Sequence, residues 1–290
     1  MDDGESRPTT LRAPSDRRPG CLDWSMDRLR FGTYLAPSLL PVYEAVTEHV
    51  GRRLGVATEL VVETSYESCE NDENEVCFVC SLPYVLFERR GLDLAVPVAA
   101  PVLSDPRYGG RPIYFSDVIV HRDSSLGSFE DLRGRSWAYN EPMSHSGYGV
   151  TRHHLVTLGE TNGYFGEVVE AGFHEEAIRM VARGDVDGSA IDSHVLAIEL
   201  RENPELAERL RVVGSIGPST IQPVAVSRRV PEGVREAIRD LLVTMHDDRI
   251  MRPTLSAGLI ERFASVNAAS YEDIRMMLDA CERAGFLELR

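Results

Sequence analysis

The chain has 290 residues, 43% hydrophobic and 27% charged, which fits one large or two modest globular domains and excludes a peptide hormone or a disulfide-stapled miniprotein. Its formal net charge of −15, from 31 basic and 46 acidic residues, repels nucleic-acid backbones and anionic lipid surfaces at long range. All 31 basic residues are Arg, so Schiff-base chemistry, pyridoxal catalysis and the Lys-bearing phosphate loop of nucleotide hydrolases are excluded, because guanidinium does not deprotonate.

Residues 1 to 26, with Asp2, Asp3, Arg7, Pro8, Arg17, Arg18 and Pro19, read as a disordered leader without the apolar run of a signal peptide. As written, the sequence is expected to stay in the cytoplasm. No stretch approaches 18 consecutive apolar residues, so it is not expected to insert in a membrane. Five cysteines, an odd count in a chain too long to need staples, favour a reducing compartment over a disulfide framework.

Alternation from Leu29 to Leu35 predicts a strand. Leu40, Tyr43, Val46, Val50 and Leu54 then recur at helical spacing after a candidate Ser38 cap. Glu59 to Glu63 and Val76 to Cys80 read as strands, with a helix opened by Pro83 and closed by Gly91. The intervening run from Glu59 to Glu75 carries seven acids and no Arg, which reads as a solvated loop. Leu92 to Val98 and Ile113 to His121 are further strands, followed by a helix capped by Ser128, the strand Ser136 to Tyr139 and a helix from about Ser146 to Leu158. Strand and helix keep alternating through Val168 to Ala171, His174 to Ala182, Val186 to Ile191 and Ser193 to Leu200. After Pro231 the pattern is helical to the end, including Leu255 to Phe263 and Tyr271 to Ala284.

Such alternation predicts an α/β fold of two lobes, each a mostly parallel sheet flanked by helices. The chain is expected to cross between lobes near Ile113 to Val120 and to return near Gln222 to Ser227. Lobe 1 then comprises residues 27–113 with 224–290, lobe 2 comprises 114–223, and the interlobe cleft is the expected ligand site.

The segment Tyr139-Asn140-Glu141-Pro142-Met143-Ser144-His145-Ser146-Gly147-Tyr148 leaves a strand and enters a helix. Helix N-terminal N–H groups with the hydroxyls of Ser144 and Ser146 suit a tetrahedral oxyanion, although ordinary capping by one Ser accounts for the same residues. Asp192, Ser193 and His194 close another strand, where a carboxylate can accept a proton from a ligand or simply cap the next helix. Ser81 and Tyr84 follow the strand ending at Cys80, and Tyr34 ends the first strand, each at a strand end that can face the cleft. Cys77 and Cys80 with Cys69 upstream suit either zinc or a buried strand; His145, His174, Asp192 and His194 are a second conceivable metal set. Neither is specific enough to assign a metal or other cofactor. Gly147-Tyr148-Gly149 has Arg152 where a dinucleotide fingerprint needs its third Gly.

Three segments taken in order, Tyr114-Phe115-Ser116-Asp117-Val118-Ile119-Val120, Ser128-Phe129-Glu130-Asp131-Leu132-Arg133-Gly134 and Ser144 to Tyr148, resemble the phosphonate and phosphate-type periplasmic solute-binding proteins. The resemblance continues through His174-Glu175-Glu176, Gly184-Asp185-Val186-Asp187, Ala190-Ile191-Asp192-Ser193 and Gly217-Pro218, covering about Leu29 to Met245. It implies a type II periplasmic-binding-protein fold closing on a phosphonate, phosphate or phosphite without chemistry, for uptake by an ABC transporter membrane component outside the cytoplasm. It further implies that Ser144, Ser146, Gly147 and Tyr148 hold the oxyanion, with His145 in the same loop. Ser81 and Tyr84 meet it from the first lobe, His174 and Asp192 finish the far side, and Glu175 takes an amino substituent, while Tyr34 and Ser193 stay ligand candidates on their strand-end positions alone. Cys80, where the family usually has Gly, and His145, where a small residue is common, motivate an alternative: a cytosolic lyase or hydrolase acting on a small anionic metabolite on the same scaffold.

Overall fold

The computed structural model describes residues 28–63, 65–92 and 95–290, so the expected leader lies outside the described residues. The strands are β1 (Arg28–Thr33), β2 (Ala57–Val62), β3 (Val76–Phe78), β4 (Ala95–Leu103), β5 (Ile113–His121), β6 (Ser136–Tyr139), β7 (Glu167–Glu170), β8 (Gly188–Asp192), β9 (Leu210–Thr220), β10 (Val224–Ser227) and β11 (Ile260–Ser265). The helices are α1 (Leu40–Leu54), α2 (Glu67–Glu70), α3 (Ser81–Arg89), α4 (Val150–Thr157), α5 (His174–Arg183), α6 (Ser193–Glu202), α7 (Pro204–Arg209), α8 (Glu232–Thr244), α9 (Met251–Ala257) and α10 (Glu272–Arg283).

Two sheets form, in the orders β11-β4-β10-β3-β1-β2 and β7-β6-β8-β5-β9. Both are mixed. β1 pairs in parallel with β2 and β3, and β6 with β7 and β8, as βα alternation requires. The crossing strands run the other way: β10 is antiparallel to β3 and β4, and β5 to β8 and β9. Residues 104–112 and 221–223 carry the chain between the sheets.

Period-2 burial explains the second lobe. Val118 and Val120 pack with Trp137, Leu155 and Phe165 on one face, while Ile119 packs with Ile178, Val181 and Leu196 on the other. The first sheet buries Phe31, Val226, Val46, Val50, Ile238 and Leu242 in one core. Beyond α10 the tail leaves that core, and Phe286 and Leu289 join Trp137 and Leu155.

Local differences from the sequence reading have physical causes. Ser38 does not cap α1, because Pro37–Leu39 forms a 3-10 turn and Leu39 takes the cap position with Pro41 just inside. No α-helix follows Ser128; Asp131 accepts from the backbone N–H groups of Gly127 and Ser128, leaving the 3-10 turn Glu130–Leu132. The long helical stripe after Pro231 breaks at Gly258 and Leu259, where Leu259 has φ 54°, and Ile260–Ser265 turns back as a strand along β4.

Candidate functional site

A cavity of about 310 Å³ lies between the two sheets. Its first-lobe wall is Tyr34, Leu35, Ala36, Glu63, Ser65, Tyr66 and Cys80, and its second-lobe wall includes Asn140, Glu141, Ser144, Ser146, His174, Glu175 and Asp192. Gln222 closes it from the return crossing, and the exposed Phe173 marks its mouth.

The serine turn is a strand-to-helix transition. After β6, Ser144 sits in extended backbone (φ −76°, ψ 133°) and its Oγ accepts from the Gly147 N–H at 3.2 Å, capping the π-helical turn His145–Gly149 that runs into α4. Capping and cavity lining coexist in this residue. Ser146 Oγ lies 3.3 Å from Ser144 Oγ and 2.7 Å from His174 Nε2, so the turn is joined to the start of α5. Gly147 is required by close approach: a Cβ there would fall 2.2 Å from Asn140 Oδ1.

Helix α5 begins at His174 with no side chain capping Phe173, so its first-turn N–H groups and positive dipole end lie beside the cavity. Burial drives the His174 imidazole down to a pKa of about 3, keeping it neutral at ordinary pH. Its Nδ1 has no protein partner, nor does Glu175 Oε2 or Asn140 Oδ1. Glu175 Oε1 accepts from the Ser38 N–H across the lobes at 3.2 Å.

Asp192 Oδ1 caps α6 by accepting from the His194 N–H at 2.8 Å, while Oδ2 accepts from Gln222 Nε2 at 3.2 Å. Burial raises its pKa to about 6 despite those donors. Tyr34 OH lies 2.6 Å from Ser68 Oγ and accepts from Asn74 Nδ2 at 3.0 Å, and its ring stacks on Tyr66 at 5.0 Å. Tyr66 OH donates to Glu141 Oε1 across the cleft at 3.1 Å, and burial raises the Glu141 carboxyl above its ordinary value.

Of the residues expected at the site, Tyr34, Ser144, Ser146, His174, Glu175 and Asp192 line the cavity. Six lie outside its wall. His145 points behind the turn, its Nε2 3.1 Å from Ser219 Oγ and its ring edge-on to Tyr114, because its backbone N–H is held by Cys80 Sγ. Gly147 contributes backbone alone and packs on Asn140. Tyr148 is drawn into the second-lobe core, its ring tilted against Tyr139 at 4.9 Å, with its OH accepting from the Leu289 N–H. Ser81 is buried beside Tyr114 at the start of α3, and Tyr84 meets Tyr271 edge to face at 5.2 Å. Ser193 is held by the crossing segment, its Oγ accepting from Tyr108 OH and from the Phe115 N–H.

The sequence reading passed over Glu63 and Tyr66, taking their run for a solvated loop; that loop folds back so that both line the cavity and Asn74 and Glu75 are buried. Their signal is the aromatic and amide residues interleaved with the acids, which a purely solvated loop does not need. Asn140, Glu141 and Gln222 stood inside segments already singled out. The conceived metal sets do not assemble: His194 Nε2 turns to Gly258 O, His145 faces away, and among the described residues no three His, Cys, Asp or Glu are grouped to hold an ion.

Four carboxyl groups, Glu63, Glu141, Glu175 and Asp192, line the cavity, and among the described residues no Arg does. Hydroxyls and helix N–H groups supply the positive side, carboxylates the negative.

Comparison with known proteins agrees with this architecture. A binding-protein component of an ABC phosphonate transporter from Pseudomonas aeruginosa superposes with TM-score 0.78 at 17% identity, over 90% of this chain and 88% of that one. PhnD1 from Prochlorococcus marinus, in complex with methylphosphonate, gives 0.76 at 15% identity, over 89% and 98%. A Xanthomonas citri protein bound to ATP gives 0.66 at 19% identity, over 91% and 100%. The family described as ABC transporter, phosphonate, periplasmic substrate-binding protein matches residues 33–271, and the chain belongs to it.

Proposed function

We propose that the cavity binds a small phosphonate carrying an ammonium group, with phosphate and phosphite as weaker relatives. The observation that carries this reading is the division of one cavity between uncharged donors and four carboxyl groups, with no Arg among the described residues that line it. Ser144, Ser146, Tyr34 and the opening turn of α5 take the oxyanion, as helix N-termini do without a formal cation. Glu175 and Asp192, with Glu141 and Glu63 beside them, take the ammonium, and the orphaned Glu175 Oε2 is available to accept from it. A dianion without an amine meets uncompensated carboxylates.

The two lobes, residues 27–113 with 224–285 and 114–223, close on this ligand, the tail 286–290 packing on the second, and an extracytoplasmic membrane transporter component receives it. No chemistry is assigned. Cys80 reaches the cavity, but burial raises its thiol to about 11, which keeps it protonated and poorly nucleophilic. His145, the other group behind the enzymatic alternative, lies off the cavity wall.

The test is titration calorimetry and thermal unfolding with 2-aminoethylphosphonate, ethylphosphonate, methylphosphonate, phosphate and phosphite. Micromolar binding of the amino compound, at least tenfold tighter than ethylphosphonate, is expected, and Ser144→Ala with Ser146→Ala together should abolish it. Equal affinity for the two ethyl compounds overturns the ammonium assignment, and unchanged binding in the double variant overturns the serine cradle.

A further inference from the structure

Behind the first-lobe wall lie two thiols that the ligand reading does not use. Cys69, at α2, and Cys77, in the middle of β3, line one small void of about 20 Å³ with Val79, Tyr84 and Phe87. Both are free. The segment between them is already shaped into a tight loop: the Asp72 N–H donates to Cys69 O at 3.1 Å and the Glu73 N–H to Ser68 O at 2.8 Å. The loop is pinned to β1 and the β10 end as well, since Glu75 accepts from the Arg30 N–H at 2.7 Å and pairs with Arg229 at 2.7 Å.

We propose that Cys69 and Cys77 are a redox pair that closes a disulfide under the loop forming the first-lobe wall of the cavity. The two thiols face one small void and the loop between them is held from both sides, which confines the pair to a common space where a disulfide can close. Cys69 is partly exposed and Cys77 buried, which sets the order of events. The Cys69 thiolate attacks a sulfur of an oxidised small-molecule disulfide such as glutathione disulfide, forming a mixed disulfide and releasing one thiol. The Cys77 thiolate then attacks the Cys69 sulfur and expels the second thiol. The protein loses two protons and two electrons, and the donor disulfide takes both as two thiols.

Burial and the Cys69 neighbour push the Cys77 thiol up, so its deprotonation is the slow part. The consequence reaches the cavity through named contacts. Ser68 and Asn74, which hold Tyr34 OH, lie one residue before Cys69 and three before Cys77, and Tyr66 stacks on the same ring. A bond there fixes the supports of Tyr34 and Tyr66 as one body.

The test needs no ligand, so its failure is separate from failure of the binding reading. The full chain is incubated with glutathione disulfide, quenched in acid, unfolded and alkylated, then mapped by mass spectrometry. The expected result is a linked Cys69 and Cys77 peptide, a mass loss of two hydrogens, and an unfolding temperature about 5 °C above that of the reduced protein. Cys69→Ser and Cys77→Ala should each abolish both changes, and the partly exposed Cys69 site leaves a folded control. Alkylation of both residues after oxidation overturns the proposal. So does glutathione held on Cys69 without closure, or linkage of either residue to another cysteine.

Discussion

Asp192 shows how one side chain is tuned by where its strand ends. It titrates near 3.8 when unconstrained and near 6 in the fold, so the native state holds its proton between those values. A raised acid stabilises the fold at low pH; that contribution fades as pH rises from about 4 to 6, and above 6 the buried anion is a net cost. Asp192→Asn should therefore stabilise the protein by about 1–3 kcal/mol at pH 7.5 and by almost nothing at pH 4, read as paired unfolding temperatures. The same substitution should weaken an ammonium-bearing ligand at pH 7.5, so that stability and affinity move in opposite directions. A variant that gains no stability at pH 7.5 would show that the carboxyl is better solvated than its burial indicates.

Elements carry the next lesson. Tyr148 and Arg152, on the turn and helix that present the serines, are held from behind by the tail: the Leu289 N–H donates to Tyr148 OH, and Arg152 donates to Leu287 O. Helix α10 reaches the first lobe too, through Arg275 with Glu88 at 2.5 Å and through Glu282 with Arg89 at 2.8 Å. Removing residues 286–290 should lower the unfolding temperature by several degrees, since Phe286 and Leu289 leave the core. Hydrogen exchange over 144–150 should accelerate at least tenfold, and exchange unchanged there would place the tail outside the support of the turn.

The serine turn was legible because Trp137 and Ala138 read as a buried strand end and small polar residues follow directly. The amphipathic stripe Ala177, Ile178, Val181 and Ala182 made α5 equally plain. What sequence could not show was direction. Tyr148 lies two residues after the cavity-lining Ser146 and Tyr84 four after Cys80, yet packing against Tyr139 and Tyr271 turns their rings away. β11 was missed because Ile260 and Phe263 are three apart, a helical spacing that an edge strand with a register shift can also bury.

At the scale of the molecule, four buried imidazoles, His49, His145, His174 and His194, bear on the response to acid, all lowered by burial. Burial lowers His145 and His174 to about 3 and His194 to about 4, from an ordinary 6.5. Depressed histidines stabilise the fold above 6.5, and that stability is lost as pH falls toward 4, because only the unfolded chain takes up the protons. For His145, His174, His194 and Asp192 alone, near pH 5 three protons taken up on unfolding are opposed by the one held on native Asp192, a net uptake of about two that contributes about 2.7 kcal/mol per pH unit. Scanning calorimetry from pH 7 to 4.5 should show a steep fall in unfolding temperature, shallower in His145→Gln. A flat profile would mean that these rings accept protons inside the fold.

The two lobes are already joined by protein atoms alone: Tyr66 OH donates to Glu141, and the Ser38 N–H to Glu175. Both bonds end on carboxylates of the cavity wall, so the ammonium of the proposed ligand would share Glu141 and Glu175 with contacts that the lobes use to hold each other. Entry then waits on a prior opening. The apparent association rate saturates at the opening rate as ligand concentration rises, and tight binding is bought with slow capture.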